Sequence, residues 1–192
     1  MPSKKNRTPI EADKYYHIYN RGNNYEVTFK TENDYFVFLW LIKKYINPIA
    51  NIYAYALLPN HYHLLLKTKY DLTHLEFGRE FSQLIAYYTY LFNKRENRSG
   101  NLFLKPFKRI LIESDEYLKR LVFYIHFNPQ KHKAVNRYQK YKFSSFKAYQ
   151  YDSNTSLNTQ DILEIFGSRG NFYEYHEYFE ELDNLNEYSL ED

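Results

Sequence analysis

The stretch Ala50-Asn-Ile-Tyr-Ala-Tyr-Ala-Leu-Leu-Pro-Asn-His-Tyr-His-Leu-Leu-Leu-Lys-Thr68 decides how the rest of the chain is read. Its apolar and aromatic composition makes Ala50 to Leu58 one strand and His61 to Thr68 another, with Pro59-Asn60 as the break. Side chains two residues apart on a strand share a face, so His61 and His63 stand side by side. Tyr62, Leu64 and Leu66 then point the other way into a core, while Leu65 shares the histidine side. Two adjacent imidazoles suit a divalent metal. They equally suit a pair of partly buried, hydrogen-bonded histidines, and spacing alone leaves both open.

Working outward, Lys14 to Asn20 is a strand closed by the turn signal Arg21-Gly22-Asn23-Asn24. Thr31 caps a helix that carries Phe36, Phe38, Leu39, Leu41, Ile42, Tyr45 and Ile46 and ends near Asn47-Pro48. Leu72 to about Lys94 is a long amphipathic helix, with Leu75, Phe81, Leu84, Ile85, Tyr88 and Phe92 near helical spacing. After the turn Asn97 to Asn101, Leu102 to Glu113 is extended, and Ser114 caps a third helix that Pro129 is expected to stop. The order β-α-β-β-α-β-α predicts an α+β fold. It is a ferredoxin-like split β-α-β sandwich, an antiparallel sheet with helices on one face, plus an added helix bearing Tyr124. Residues 1–149 form this domain. Residues 150–192 are a polar linker and an acidic helical extension, with helices expected at Gln160 to Phe166 and Phe172 to Asn184.

The 192 residues include 23 Tyr, 15 Phe and one Trp, which argues against disorder for most of the chain. The absence of Cys excludes disulfides, thiolate catalysis and Cys-ligated zinc. No signal peptide or membrane-length apolar run is visible, which points to a soluble, cytoplasmic protein. Charge is uneven: residues 171–192 hold eight acids and no Lys or Arg, and removing that −8 from the net +3 leaves +11 on residues 1–170. A basic, tyrosine-rich body suits a phosphate-bearing partner with bases to stack, and equally a solvated lysine-rich surface. The acidic run would either mask the basic face or aid solubility.

On the third helix Tyr124 and Asn128 are i and i+4, neighbours on one face, with Tyr117 two turns earlier near the same face. His126 is rotated about 200° from Tyr124 and is expected elsewhere. Taken together, the His-x-His strand after a Pro-Asn turn and a helix with Tyr-x-x-x-Asn-Pro resemble the HUH single-strand DNA transposases, in their REP-associated tyrosine transposase branch. The resemblance spans about residues 14–147. Its matching stretches are Tyr19 to Asn24, Ala54 to Leu65, Asn97 to Phe103, Tyr124 to Pro129 and Lys142 to Phe146, in order and on the expected elements.

The resemblance implies a function. His61, His63 and Asn128 would ligate Mg²⁺ or Mn²⁺, which polarises the scissile phosphate. Tyr124 would attack it, leaving a 5′-phosphotyrosine and a free 3′-OH. A tyrosine hydroxyl has a pKa of about 10, so it needs activation by the metal, a nearby cation or the phosphate geometry. Tyr62 departs mildly from the bulky hydrophobic residue usual between the two histidines. The implied substrate is single-stranded DNA with hairpin, palindromic repeat elements, and the branch suggests a monomer. Arg21, Asn23, Arg98, Lys105, Lys108 and Arg109, on expected turns and edges, are candidates for phosphate contact. Tyr88 is the rival nucleophile. The alternative function is a non-catalytic single-strand-binding module that uses an open sheet face. Replication-initiation and relaxase nucleases share the chemistry but carry further domains.

Overall fold

The computed structural model describes residues 9–150 and 155–184. Strands β1 (Tyr15–Arg21), β2 (Ala50–Leu58), β3 (His61–Thr68) and β4 (Lys108–Ile112) form an antiparallel sheet in the order β2-β3-β1-β4. Helix α1 (Glu32–Leu41) joins β1 to β2, and α2 (His74–Glu96) joins β3 to β4, which is the split β-α-β arrangement the sequence predicts. α1 runs on as a wider π-helical turn at Ile42–Ile46. α3 (Asp115–Lys131), α4 (Thr159–Phe166) and α5 (Arg169–Asn184) follow β4. Among the described residues no helix is long and apolar enough to cross a membrane.

Each face of the sheet carries a core. Tyr16, Ile18, Leu57, Tyr62, Leu64 and Leu66 pack with Phe38 and Leu41 of α1 and with Phe77, Phe81, Leu84 and Tyr88 of α2. On the opposite face Ala54, Ala56, Leu58 and Leu65 pack with Leu118, Leu121, Val122 and Ile125 of α3. The Pro59-Asn60 turn pairs Leu58 with His61 and Ala56 with His63, which puts the two alanines on the histidine face. Ala54 and Ala56 are fully buried, and their single methyl groups let α3 lie close to the sheet. A β-bulge then shifts the register between Ile52 and Ala54. Tyr53 and Ala54 both join the α3 core, while Ile52 and Ala50 return to the α1–α2 core.

The helices of the extension complete the α3 side. Ile162, Leu163 and Phe166 of α4 and Phe172 and Phe179 of α5 share the core of α3. A buried hydrogen-bond chain crosses that core. His176 Nδ1 donates to the Phe172 carbonyl at 2.8 Å, and His176 Nε2 meets His126 Nδ1 at 3.0 Å. His126 Nε2 lies 2.8 Å from the Ser145 hydroxyl, which also accepts the Tyr55 N–H at 2.9 Å. A carbonyl only accepts, so with neutral rings each proton in the chain is assigned in turn from Phe172 to Ser145. His126 thus faces away from Tyr124, as its helical position predicts. Residues 151–154 of the expected linker and 185–192 of the acidic run lie outside the described residues.

β2 is an edge strand, and Tyr141, Phe143, Tyr149 and Asn158 cover its outer edge. Leu57 N–H donates to the Phe143 carbonyl at 2.9 Å, and Asn158 N–H donates to Ile52 at 3.0 Å. The Tyr141 and Tyr149 hydroxyls donate to the carbonyls of Leu57 and Tyr53 at 2.8 and 2.6 Å. The second of these serves the bulge.

Three local expectations need correction. Pro129 does not stop α3, which continues to Lys131. Pro129 has no N–H to close on Ile125, but His132 and Ala134 close the last turn onto the Asn128 and Pro129 carbonyls at 3.0 and 2.8 Å. The extended run from Leu102 yields a strand only at Lys108–Ile112, because Pro106 has no N–H for the ladder. Phe36 and Leu75 point into solvent at 50% and 82% exposure. Phe36 lies two residues, about 200°, from the core residue Phe38, and Leu75 the same from Phe77.

Replacing Tyr149 by Phe leaves the bulge carbonyl buried without its donor. The expected loss is about 1–2 kcal/mol of unfolding free energy in urea denaturation, and an unchanged midpoint would contradict the role of that bond.

Candidate active site

The antiparallel register of β1 against β3 sets Tyr19 beside His63 and Arg21 beside His61, and β4 adds Lys108 beside Tyr19. Alternation turns His17, Tyr19, His61, His63 and Lys108 to the α3 side. α3 brings Tyr117, Leu121 and Tyr124 over them, and together these residues line a pocket of about 700 Å³. Tyr124 is 8% exposed. Its ring stands edge-on to His63, with centroids 5.3 Å apart at 88°, and edge-on to His17 at 6.2 Å. Lys131 Nζ, two turns further along α3, lies 5.8 Å from the Tyr124 ring centre.

Asn128 extends from the next turn of α3 to His61. His61 Nε2 is 3.0 Å from Asn128 Oδ1, and His61 Nδ1 is 2.7 Å from Asn60 Oδ1. A neutral imidazole carries one N–H, so it donates to one of these oxygens and not both. Asn128 is fully buried and its Nδ2 has no hydrogen-bond partner. Turning the amide over would give His61 a donor and leave the oxygen in the orphaned place. Either way the amide keeps one buried polar atom without a protein partner beside His61, although Asn128 itself lies behind the pocket lining.

His63 Nδ1 lies 2.9 Å from His17 Nε2, both rings are buried, and the pair is stacked. Burial pushes the His17 imidazole down to about 3. Burial, and then the neighbouring His17, His61 and His132, holds His63 well below the usual histidine range. Both rings are neutral at physiological pH. When His63 Nδ1–H donates to His17, the His63 lone pair sits on Nε2, the tautomer a ligand through Nε2 requires.

Among the described residues no group of three or more His, Cys, Asp or Glu side chains could hold a metal. A cation here would rest on His61, His63 and the Asn128 amide. The chemistry of that set fits. Both imidazoles have neutral forms, and the buried Asn128 amide keeps a polar atom without a protein partner, so these three residues would hold the ion. A wholly neutral set binds a dication weakly until an anionic phosphate joins it.

The six candidate phosphate contacts divide. Arg21, Lys105 and Lys108 line the pocket. Asn23 and Arg98 brace loops instead, with Asn23 Nδ2 donating to the Asn101 carbonyl at 2.8 Å and Arg98 paired with Glu26 at 2.9 Å. Arg109 pairs with Ile18 in the β1–β4 register, on the alternation that faces the other core, and lies 5.6 Å from the Phe107 ring. Tyr88 also sits in that other core, its hydroxyl donating to the Thr28 carbonyl at 2.6 Å, on the face of the sheet away from the pocket.

Sequence reasoning missed His17, Tyr19, Tyr25 and His132, all of which line the pocket. His132 packs its ring edge on His61 at 4.7 Å. Alternation in Tyr15 to Arg21 places His17 and Tyr19 on one face, but only the pairing register says whose face that is.

Compared with solved structures, the chain is similar to a REP-associated tyrosine transposase bound to a REP hairpin. The TM-score is 0.57 at 19% identity, over 77% of this chain and 85% of that one. No family model and no curated protein matches the sequence. The likeness is therefore one of fold, and function rests on the site.

Four buried histidines bear on pH. Burial lowers His17 and His176 to about 3, and lowers His63 and His126 in the same direction. Their unfolded forms bind protons near pH 6.5 and the folded forms do not, so this stability is complete above about pH 6.5 and drains away as pH falls towards the folded values. Each contributes at most about 1.4 kcal/mol per pH unit. Urea unfolding should show a loss of at least about 2 kcal/mol between about pH 7 and pH 5. Equal stability at both would contradict neutral buried rings.

Proposed function

We propose that the chain is a divalent-metal-dependent single-strand DNA nicking and joining enzyme, a tyrosine transposase acting on DNA flanked by hairpins. One observation carries this reading: Tyr124 of α3 and His61 and His63 of β3 line one pocket, Tyr124 edge-on to His63 and His61 bonded to the buried Asn128. The similar structure is, by its own description, a tyrosine transposase bound to a REP hairpin, which supports hairpin DNA as the substrate class. A module that binds nucleic acid on an open sheet face would need that face uncovered, whereas α3 lies across it.

Tyr124 attacks the scissile phosphorus through its phenolic oxygen. The new bond joins that oxygen to phosphorus. The bond to the 3′ oxygen breaks, and its electron pair takes up a proton to leave a free 3′-OH, balancing the proton the Tyr124 hydroxyl gives up. A diester remains throughout, so the 3′-OH of another strand reverses the step, re-forms the Tyr124 hydroxyl and joins DNA without ATP. Arg21, Lys105 and Lys108 hold the backbone phosphates. Lys131 stands where its charge favours the phenolate. His17 fixes the ring of His63, and the packing of α3 confines Tyr124 to few rotamers. Mg²⁺ or Mn²⁺, when bound by His61, His63 and Asn128, would supply Lewis-acid polarisation of the phosphate.

The test uses hairpin-bearing single strands from the DNA flanking the protein's own coding sequence, incubated with Mn²⁺. Wild type should give a DNA–protein adduct that survives denaturing electrophoresis, and Tyr124→Phe or added chelator should abolish it. An adduct that persists in Tyr124→Phe would place the nucleophile elsewhere. Tight binding with no adduct would favour the non-catalytic module.

A further inference from the structure

The loop that leaves β1 is held on every side. A Cβ on Gly22 would lie 2.2 Å from the Glu26 carbonyl oxygen and 2.9 Å from Thr28 Cγ2, so the chain folds back here only without a side chain. Gly22 N–H donates to Asn60 at 2.8 Å, Asn23 N–H to Leu102 at 2.9 Å, and Glu26 N–H to Asn23 at 2.9 Å. The Glu26 carboxylate is paired with Arg98 at 2.9 Å. Within this frame Asn24 and Tyr25 are both left-handed, with φ of 51° and 59°. Asparagine tolerates that region, but a tyrosine there is strained.

The strain has no return in the fold. Tyr25 belongs to neither core and is 66% exposed. Its ring packs under the Arg21 guanidinium, 4.1 Å from the ring centre, and an exposed contact of this kind stabilises only weakly. Both residues line the pocket that holds Tyr124. A pinned backbone therefore displays an aromatic ring at the pocket edge, with a cation on one face and the remainder in solvent. Strain of this kind gathers at functional sites.

We infer that Tyr25 is a base-stacking platform: an unpaired base of the bound strand stacks on the ring, opposite Arg21, while Arg21 meets the neighbouring phosphate. The inference rests on the single-strand substrate proposed above and specifies how that strand enters the pocket. Stacking accepts any base, so the platform sets position along the strand and leaves sequence choice to other contacts.

The experiment measures affinity by fluorescence anisotropy, without divalent metal and in the Tyr124→Phe background, so that it reads binding alone. The probe is a labelled single strand from the DNA flanking the coding sequence, with abasic sites walked through its unpaired stretches. Adding Tyr25→Ala should weaken binding by about 5- to 100-fold, and Tyr25→Phe should retain it. One abasic position should reproduce the loss with Tyr25 present and cause no further loss in Tyr25→Ala. Thermal unfolding separates this role from a structural one: Tyr25→Gly, which relieves the left-handed backbone, should bind as weakly as Tyr25→Ala without a lower melting temperature. Equal affinity with and without the Tyr25 ring, or a Tyr25→Gly midpoint that falls along with affinity, overturns the platform. If Tyr25→Ala binds as tightly while wild type still forms the adduct, only the platform falls. If no adduct forms yet the abasic and Tyr25 losses coincide, the platform stands and the nicking activity falls.

Discussion

α3 can lie against the sheet because β2 offers it Ala54 and Ala56 beside Leu65 and His63. Two contacts follow from that single placement. Tyr124 comes edge-on to His63, and one turn later Asn128 meets His61. The precision of the site thus comes from helix-on-sheet packing more than from bonds among the site residues. A larger side chain at Ala56 would lift the helix, and both contacts would be lost in one movement. The same packing excludes water from His63 and His17 and keeps them uncharged.

The sequence carried local information well and long-range information poorly. The hairpin around Pro59-Asn60, the shared face of His61 and His63 and the shared face of Tyr124 and Asn128 all follow from periods of two and 3.6 residues. His17 joined the site only through the pairing of β1 with β3, which no local pattern specifies. The bulge at Tyr53 is equally silent, because Ala50 to Leu58 reads as an ordinary apolar strand. Tyr25 was hidden for another reason. Its role depends on a left-handed backbone imposed by its neighbours, and a tyrosine gives no hint of that conformation. Pro129 misled in the opposite direction, since the two residues beyond it stay helical and His132 and Ala134 close the turn around it.

The C-terminal helices are tied to the site through α3. The chain of bonds from Phe172 through His176, His126 and Ser145 reaches Tyr55 in β2, so α5, α3 and the sheet share one set of proton positions. Tyr53 adds a second tie, its hydroxyl bonded to Asp161 of α4 at 2.9 Å. The helix that carries Tyr124 is therefore clamped from behind as well as from below.

The covering of β2 also bears on how copies of this chain meet. Its outer backbone groups already bond to Tyr141, Phe143, Tyr149 and Asn158, which leaves little for a strand of a second molecule. The opposite edge, β4, is five residues long, follows Pro106 and presents Lys108 and Arg109, features that discourage strand addition. A chain with 38 tyrosines and phenylalanines is in this way guarded against the edge-to-edge aggregation that its composition invites.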